Sequence, residues 1–347
     1  MEEAAGRNCR FLQGPGTDPE TIQRLRRALD EGTACSVDIR NYRKDGTPFW
    51  NRLSITPVRD ADGELTHYVG VQSDITARKQ AEEDLARANR RMTQSLEAAA
   101  AIQRSLLPDS LPEVPGVDFA WTFEPCHELA GDSLDVFRIG EEHVALYVAD
   151  VVGHGVPAAL LSVTLAQILS FSRRQSSLDG LGSFADGRLV AGPKAAVERL
   201  NQLFPMREDS RQYFTLFYGV LHLPSSRLRY VSAGHPAPVL SRLGEPCSHL
   251  EVGGFPVGMA RRPEYEEREV QLGPGDRLYI YTDGLLEAAD AEGSEFGARR
   301  LSEQILGGRD LTLQASVEAL EGDAKAWAGG RLHDDLSLLA LEITGAG

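Results

Sequence analysis

Apolar and polar residues alternate along the first part of the chain with the period of two that is typical of strands. The alternating runs CSVDIRNYR, PFWNRLSITPVRD and ELTHYVGVQSDI lie between residues 35 and 75. The separators KDGT and DADG both contain Asp-Gly, which is common hairpin chemistry. Before them, TDPETIQRLRRALDEG has a capping residue, an early proline and a final glycine. The pattern predicts one helix followed by strands joined through hairpins.

A helical repeat without glycine or proline follows, from about Arg78 to Leu107. Its apolar residues recur at steps of three and four, as in a coiled-coil seam with one slip near Met92. They are Ala81, Leu85, Ala88, Met92, Leu96, Ala99, Ile102 and Leu106. A helix packed on its own domain is the alternative. The length, the narrow stripe and the position between two β-rich regions favour a dimerising connector, and hence a parallel homodimer.

From Pro108 onward, strand-like and helix-like runs are mixed. The strand-like runs are VDFAWTFEP, DSLDVFRI, HVALYVADV, TLFYGVLHL, RLRYVSA, DRLYIYTDG and LSLLALEI. They occur in groups instead of alternating strictly with helices, which predicts stacked antiparallel sheets flanked by helices. Residues 175–192 are rich in glycine and serine and are predicted to form an exposed loop. We therefore expect an α+β multidomain protein with parts at 1–77, 78–107 and 108–345.

Composition narrows the class of partner. A chain of 347 residues has room for two or three domains. A net charge of −15 disfavours nucleic acid and anionic membranes as partners, and no apolar run approaches the length of a membrane span. The cysteines Cys9, Cys35, Cys126 and Cys247 lie far apart without a CxxC pair. This spacing argues against a zinc site and is typical of a protein in the reducing cytoplasm.

Acidic residues stand where apolar strands of the C-terminal part run out into turns. They are Asp132 and Asp135 in AGDSLDVF, Asp150 in YVADVVGHG, Asp283 in YIYTDG, and Asp334 and Asp335 in HDDLSLL. A single such aspartate is usually a turn or capping residue. A set of them that converges at one sheet edge would need divalent cations to relieve its repulsion, and oxygen ligands select Mg²⁺ or Mn²⁺ over zinc. Two such ions activate water for attack on phosphorus.

These motifs also carry a family resemblance. AGDSLDVF, VADVVGHGVPAAL, SAGHPAPVL, YTDGLLEA and DDLSLLAL resemble, in this order, the SpoIIE/RsbU branch of the PPM metal-dependent protein serine/threonine phosphatases. The resemblance covers about residues 95–343 and includes AIQRSLLP, which is similar to the helix before that catalytic domain. Ala130 stands where the family usually has the first glycine of GGD, and the acid that follows is kept.

The phosphatase resemblance implies a set of metal ligands. Asp132 would lie at the second ion, and Asp150 would bridge both ions. The backbone carbonyl of Val151 would complete the set, with Asp283 and Asp334 at the first ion. Asp135 and Asp335 would support the ligands, and His154 and His235 would stabilise their turns. Such enzymes hydrolyse phosphoserine or phosphothreonine directly. The implied substrate is a small phosphorylated anti-sigma-factor antagonist of the STAS type.

The N-terminal part resembles a second family. GRNCRFLQG, NYRKDGTPFWN and YVGVQSDIT are similar to the second half of a LOV domain, the flavin-binding blue-light branch of the PAS family. The resemblance implies that the Cys9 thiol adds to the ring of flavin mononucleotide (FMN) after blue-light excitation. It further implies pocket-lining roles for Asn8 and Gln13, phosphate contacts from Arg10 and Arg26, hydrogen bonds from Asn41 and Asn51 to the polar ring edge, and a signalling role for Gln72.

The LOV resemblance is incomplete at its start. A LOV domain has two strands and two short helices before this cysteine, whereas Met1 lies only eight residues ahead of Cys9. Either the sequence starts inside a longer protein, or this remnant of a LOV domain binds flavin poorly. In both cases we expect the chain as given to bind FMN weakly or not at all, and an upstream-extended version to bind it and to bleach under blue light through Cys9.

The combined interpretation is a light-regulated, metal-dependent protein phosphatase. A catalytically silent module that only holds flavin or metal is the alternative, and a phosphatase assay with Mn²⁺ separates the two. A light-activated histidine kinase is a third hypothesis. The sequence disfavours it because neither a glycine-rich nucleotide lid nor a phospho-acceptor histidine followed by an asparagine box is visible.

Overall fold

The computed structural model describes residues 6–108, 111–175, 192–205 and 212–345, without the side chains of 170–175. Nearly all of the predicted loop at 175–192 lies outside the described residues. The chain divides into two compact units, Met1–Ser95 and Leu96–Gly347, and each is described by itself. Within the described ranges, every helix is too short or too polar to cross a lipid bilayer.

The first unit holds the predicted helix and strands. A 3₁₀ helix at Cys9–Leu12 is followed by α1 (Pro19–Asp30), β1 (Cys35–Tyr42), β2 (Pro48–Arg59) and β3 (Leu65–Asp74). Asp18 caps α1, because its Oδ2 accepts a hydrogen bond from the Thr21 backbone N–H at 2.9 Å. The strands form an antiparallel sheet in the order β1-β2-β3. The buried side chains of its inner face include Val37, Ile39 and Ile55 together with two asparagines, Asn41 and Asn51.

The predicted connector is a helix, α2 (Thr76–Arg104), and the chain passes from the first unit to the second within it. It ends three residues before the predicted Leu107, and a turn follows. Leu85, Met92 and Ile102 of the predicted seam are exposed. Leu96 and Ala99 instead pack within the second unit against a small cluster of Ala100, Leu129 and Ala159. The stripe therefore packs within the second unit at Leu96 and Ala99 and is exposed at Leu85, Met92 and Ile102, and pairing of two chains along it stays a prediction.

The second unit is built from two five-stranded antiparallel sheets with helices on their outer faces. In chain order its elements are β4 (Val117–Glu124), β5 (Ser133–Ile139), β6 (His143–Val151), α3 (Val156–Gln175), α4 (Pro193–Leu203), β7 (Phe214–His222), β8 (Arg227–Ala233), β9 (Val239–Ser241), β10 (Ser248–His249), β11 (Arg268–Gln271), β12 (Arg277–Tyr281), α5 (Asp283–Leu286), α6 (Gly297–Gly307), α7 (Leu313–Trp327) and β13 (Leu336–Ile343). One sheet has the order β10-β9-β12-β13-β4, and the other has the order β11-β8-β7-β6-β5.

Three layers of apolar side chains hold this unit together. The inner faces of the two sheets meet in an apolar core that includes Leu146, Phe217, Leu278 and Leu339. The outer face of the β5–β8 sheet is covered by α3 and α4, and the outer face of the β12–β13 sheet by α6 and α7. The predicted sandwich flanked by helices is thus confirmed. The short strands β9, β10 and β11 were not predicted, since two to four residues carry too little alternation to be recognised.

Candidate functional sites

Strand pairing in the second unit brings the predicted metal ligands together in two pairs. Ser133 of β5 pairs with Ala149 of β6, so Asp132 and Asp150 flank neighbouring positions at one end of that sheet. In the other sheet, Tyr281 of β12 pairs with Leu338 of β13, which places Asp283 next to the residues that precede β13, including Asp334. Because antiparallel neighbours start and end at the same place, residues separated by up to about 200 positions share one edge.

Hydrogen bonds join the two pairs across the sandwich. The Thr282 hydroxyl donates to Asp132 Oδ2 at 2.8 Å. The two oxygens of buried Asp335 accept from the backbone N–H groups of Cys126 and Gly131, at 2.8 Å and 2.7 Å. Asp335 therefore fastens the segment ahead of Asp132 to the start of β13. Asp135 is also buried, and its Oδ1 accepts from the Val136 backbone N–H at 2.8 Å.

The electrostatics of these carboxylates show that they lie within range of one another. Burial, followed by the negative charges of Asp283 and Asp334, raises the pKa of Asp150 to about 7. Burial and the charge of Asp150 raise the pKa of Asp132 well above its usual range. Burial likewise raises the pKa values of Asp283 and Asp334. Ionised together, the four groups would destabilise this end of the fold unless a cation balanced them.

The donor set fits divalent metal ions. All four side chains offer only oxygen, which Mg²⁺ and Mn²⁺ prefer. Within the described residues, the four carboxylates do not have ligand atoms that all lie within 4.8 Å of one another. Such a spread is compatible with two ions a few ångströms apart, between which the ligands are divided.

Two glycines allow the close backbone approaches at this edge. A Cβ on Gly131 would lie 2.8 Å from the carbonyl oxygen of Val151, the predicted backbone ligand. A Cβ on Gly284 would lie 2.1 Å from the carbonyl oxygen of Asp335. Neither approach tolerates a side chain, which explains the glycine that follows Ala130 and the one that follows Asp283 in the quoted motifs.

The two histidines of the quoted motifs have different surroundings. His235 is buried, and its Nδ1 lies 2.9 Å from the Thr215 hydroxyl. Thr215 is the β7 partner of Asp150, so His235 supports the strand next to the one that carries this carboxylate. His154 is exposed and stacks on His127 with ring centroids 5.1 Å apart.

Two further residues contact the site, and the sequence interpretation had assigned a role to neither. Gln103 near the end of α2 is buried, and its amide both donates to the Ala130 carbonyl at 2.6 Å and accepts from the Ala130 N–H at 3.1 Å. Its Nε2 also donates to Ser162 of α3 at 2.9 Å. Cys126 has its Sγ 3.0 Å from His127 Nδ1. Gln103 could have been predicted from its position as a polar residue in the motif AIQRSLLP. The residues around Cys126 in the sequence gave no indication that it lies near the site.

In the first unit, four of the predicted flavin contacts form one network. Asn51 Nδ2 donates to Asn41 Oδ1 at 2.8 Å and to Gln72 Oε1 at 2.9 Å. Gln72 Nε2 in turn lies 3.8 Å from Cys9 Sγ. Asn51 Oδ1 is buried and has no hydrogen-bond partner within the described residues. An orphaned buried acceptor costs about 1–3 kcal/mol, and a ligand that brings an N–H donor would satisfy it. The residues therefore fit the polar edge of a flavin ring.

The remaining predicted flavin contacts lie outside this network. Asn8 caps the 3₁₀ helix that carries Cys9, because its Oδ1 accepts from the Arg10 backbone N–H at 3.1 Å. Arg10 and Arg26 have exposed side chains, and Gln13 is half-buried. Their predicted contacts to a phosphate and a ring stay predictions.

Comparison with known proteins shows which protein families the two units resemble. Residues 140–344 match the family model for stage II sporulation protein E, SpoIIE. The chain belongs to the SpoIIE family. The fold of this SpoIIE-family chain is similar to that of the SiaA-PP2C domain of Pseudomonas aeruginosa, with a TM-score of 0.61 and 23% identity, over 74% of this chain and 98% of that one. Residues 1–77 match a PAS-domain model.

Two curated relatives cover different parts of the SpoIIE-family chain. A blue-light-activated histidine kinase of Brucella anthropi is 52% identical over 75 residues, which are 22% of this chain and 15% of that protein. Protein IcfG of Synechocystis sp. is 30% identical over 270 residues, 71% of this chain and 41% of that protein. The chain spans less than half the length of either relative. The SpoIIE-family protein thus combines a PAS domain, which is similar to part of a blue-light-activated histidine kinase, with a SpoIIE domain that has the fold of a PP2C domain.

Proposed function

We propose that this protein is a protein serine/threonine phosphatase that depends on Mn²⁺ or Mg²⁺ and is regulated by the LOV domain. The position of Asp150 is the observation that best supports phosphatase activity. The negative charge of Asp150 repels that of Asp132 beside it, and those of Asp283 and Asp334 on the other sheet. One carboxylate facing ligands on both sides is what a bridge between two ions requires. The proposed division of the chain is sensor 1–77, connector 78–107 and phosphatase 108–345.

Two divalent ions, when bound, would supply a water nucleophile at neutral pH and offset the charge of the phosphoryl group. Asp132 and the Val151 carbonyl would hold the ion on the β5–β6 side, and Asp283 and Asp334 would hold the ion on the other side. Asp150 would contribute to both. Thr282, which donates to Asp132 Oδ2 at 2.8 Å, orients that carboxylate and engages one of its lone pairs. Asp335 keeps the two sides in register through its hydrogen bonds to Cys126 and Gly131.

The Asp150→Asn variant tests the catalytic proposal. The change keeps the size of the side chain but removes the bridging charge, so we expect Mn²⁺-dependent hydrolysis of a phosphoserine substrate to fall by about a thousandfold or more. Asp118→Asn, at an exposed position of β4, is the matched control and should keep full turnover. Unchanged circular dichroism would show that Asp150→Asn is folded. Substantial turnover by the folded variant would contradict the site assignment and leave the silent regulatory module as the better interpretation.

The proposed substrate is a small phosphorylated anti-sigma-factor antagonist of the STAS type, as the family resemblance implies.

The proposed assembly is a homodimer along α2, because Leu85 and Met92 expose most of their surface there. Light scattering at micromolar concentration measures the mass, and a monomeric mass would remove the dimer from the proposal.

The proposed sensor cofactor is FMN. When bound, it supplies absorption of blue light and a reactive ring position for a thiol. Asn41 and Asn51 would hold its polar edge, Gln72 would report its state, and Cys9 would provide the thiol. The orphaned Asn51 Oδ1 supports this assignment most directly.

Absorbance spectroscopy of the upstream-extended, FMN-loaded version tests the sensor. Cys9→Ser should bind FMN as the parent does but should no longer bleach under blue light. Cys35→Ser, the control at a cysteine on β1, should bleach normally. Equal, reversible bleaching in both variants would contradict the role of Cys9.

A further inference from the structure

We propose that Cys126, His127, Asp334 and Asp335 form a binding site for Zn²⁺ beside the candidate manganese centre, and that zinc bound there inhibits the enzyme by taking Asp334 from that centre. Cys126 Sγ and one carboxylate oxygen each from Asp334 and Asp335 all lie within 4.8 Å of one another. His127 Nδ1 lies 3.0 Å from Cys126 Sγ. One sulfur and two carboxylate oxygens make a set of three donors. The His127 imidazole lies against the sulfur but outside that group, and it becomes the fourth donor in the proposed site when its side chain turns toward the ion.

Zinc binding requires the ligand atoms of this cluster to move closer together. Zn²⁺ binds sulfur at about 2.3 Å and nitrogen or oxygen at about 2.0–2.2 Å, in a tetrahedral arrangement. Two ligands of one tetrahedral ion therefore lie about 3.3–3.7 Å apart, whereas the present ligand atoms lie within 4.8 Å of one another. The proposal assigns this closure to rotations of the side chains.

Neighbouring strands hold the two ligand segments in place. Glu124 at the end of β4 pairs with Leu336 at the start of β13, so Cys126 and Asp334 extend from adjacent strand ends. The Cys126 backbone N–H donates to Asp335 Oδ1 at 2.8 Å, and the Asp335 N–H donates to Asp334 Oδ1 at 2.8 Å. These bonds leave lone pairs on both carboxylates for a cation. His127 is exposed and Cys126 is half-buried, which gives an ion access from solvent.

The chemistry of the donors separates this site from the manganese centre. An all-oxygen set suits Mg²⁺ and Mn²⁺, whereas a thiolate with an imidazole selects zinc. On binding, the thiol S–H bond breaks, a Zn–S bond forms, and one proton passes to solvent. The absence of a CxxC pair argued against a zinc site in the sequence, but that argument concerns ligands supplied by one local segment. Here the fold joins ligands about 200 residues apart.

Binding is tested without reference to catalysis. Co²⁺ replaces Zn²⁺ in such sites, and a cobalt–thiolate bond adds a charge-transfer band in the near ultraviolet. We expect this band in the full chain and in Cys247→Ser, whose thiol is half-buried beside the Ser302 carbonyl. Cys126→Ser should lack the band. His127→Ala should keep it and should bind Zn²⁺ at least about tenfold more weakly in competition with a chromophoric chelator. A full band and unchanged zinc affinity in Cys126→Ser would overturn the site.

Inhibition is tested with Mn²⁺ held constant and a phosphoserine substrate, and this readout rests on the proposed function. The full chain and Cys247→Ser should be inhibited at the same Zn²⁺ concentration. Cys126→Ser and His127→Ala should need at least about tenfold more. Equal inhibition of all four proteins would overturn the competition for Asp334. Loss of turnover in every protein without zinc would count against the proposed function, while the cobalt spectra would still decide the binding site.

Discussion

His235 is a buried titratable side chain in the second unit, in the AGHP turn that follows β8. Burial lowers its pKa to about 3, a shift that the Tyr281 backbone opposes only in part. The neutral imidazole lies beside the Thr215 hydroxyl in the folded protein. Since an unfolded histidine has a pKa of about 6.5, the unfolded chain takes up a proton at mildly acidic pH that the folded chain does not.

Acidification should therefore destabilise the fold through His235. Its contribution is fully present above pH 6.5 and falls by about 1.4 kcal/mol for each pH unit below that value, down to about pH 3. Urea unfolding of the metal-free protein between pH 7.5 and 5 measures this slope. In His235→Gln the slope should change by about one proton relative to the parent, because the amide does not titrate. Parallel pH profiles for the two proteins would show that His235 does not titrate on unfolding.

Asp150 and its neighbours show the opposite tendency. Burial and the charges of Asp283 and Asp334 raise the pKa of Asp150 to about 7, so ionisation of these groups opposes folding until a cation binds. The carboxylates proposed to bind the metal ions therefore lower the stability of the metal-free fold at this edge of the sandwich. This loss of stability is the physical reason for expecting bound metal to stabilise the protein.

The end of α2 is the element that contacts the candidate centre from outside the sandwich. Gln103 makes two hydrogen bonds to the backbone of Ala130, which stands two residues before Asp132, and a third to Ser162. Ala100, Leu96 and Ala99 pack beside it against Leu129 and Ala159. The last turns of the helix therefore position the segment that leads into a metal ligand.

Removal of the Gln103 amide should loosen that segment. Gln103→Ala leaves the buried Ala130 N–H and carbonyl without these partners, which should cost about 1–3 kcal/mol of stability. We also expect a higher Mn²⁺ concentration for half-maximal activity, since Asp132 is then less well held. Gln94→Ala, an exposed site on the same helix, is the control and should change neither quantity. A loss of stability with an unchanged Mn²⁺ requirement would mean that Gln103 is purely structural.

At the level of the whole chain, regulation requires that a change near Gln72 reach Asp150. α2 begins two residues after β3 ends at Asp74, and it ends at Arg104, next to Gln103. Its predicted seam slips near Met92, where two packings of a coiled coil are nearly equivalent. A helix that can adopt two packings is the kind of bistable element that a switch needs. We therefore expect the signal to travel along α2.

Insertions after exposed Asn89 test this route. Seven added residues preserve the facing of the seam, whereas three or four rotate one part of the helix against the other. In the upstream-extended, flavin-loaded version the seven-residue insertion should keep light control of phosphatase activity, and the shorter insertions should lose or invert it. The same light response in all three variants would show that the signal does not depend on the phase of the helix.

The local patterns of the sequence were sufficient for the elements and for most candidate residues. Alternation and apolar runs predicted the three strands of the first unit and seven of the second, and capping residues and the spacing of apolar residues predicted α1 and α2. Both patterns reflect which side of a single element faces the core, so a short window carries them. The aspartates at strand ends could also be recognised from a short window, because each directly adjoins an apolar strand.

The tertiary structure alone decided which of those residues meet. Cys126 lies beside Asp334 because β4 pairs with β13, and Gln103 reaches Ala130 because α2 docks on the segment before β5. It also divided the apolar stripe of α2, burying Leu96 and Ala99 in part and leaving Leu85 and Met92 exposed. Strand order and helix docking depend on the packing of the entire core, and no single stretch of the chain contains that information.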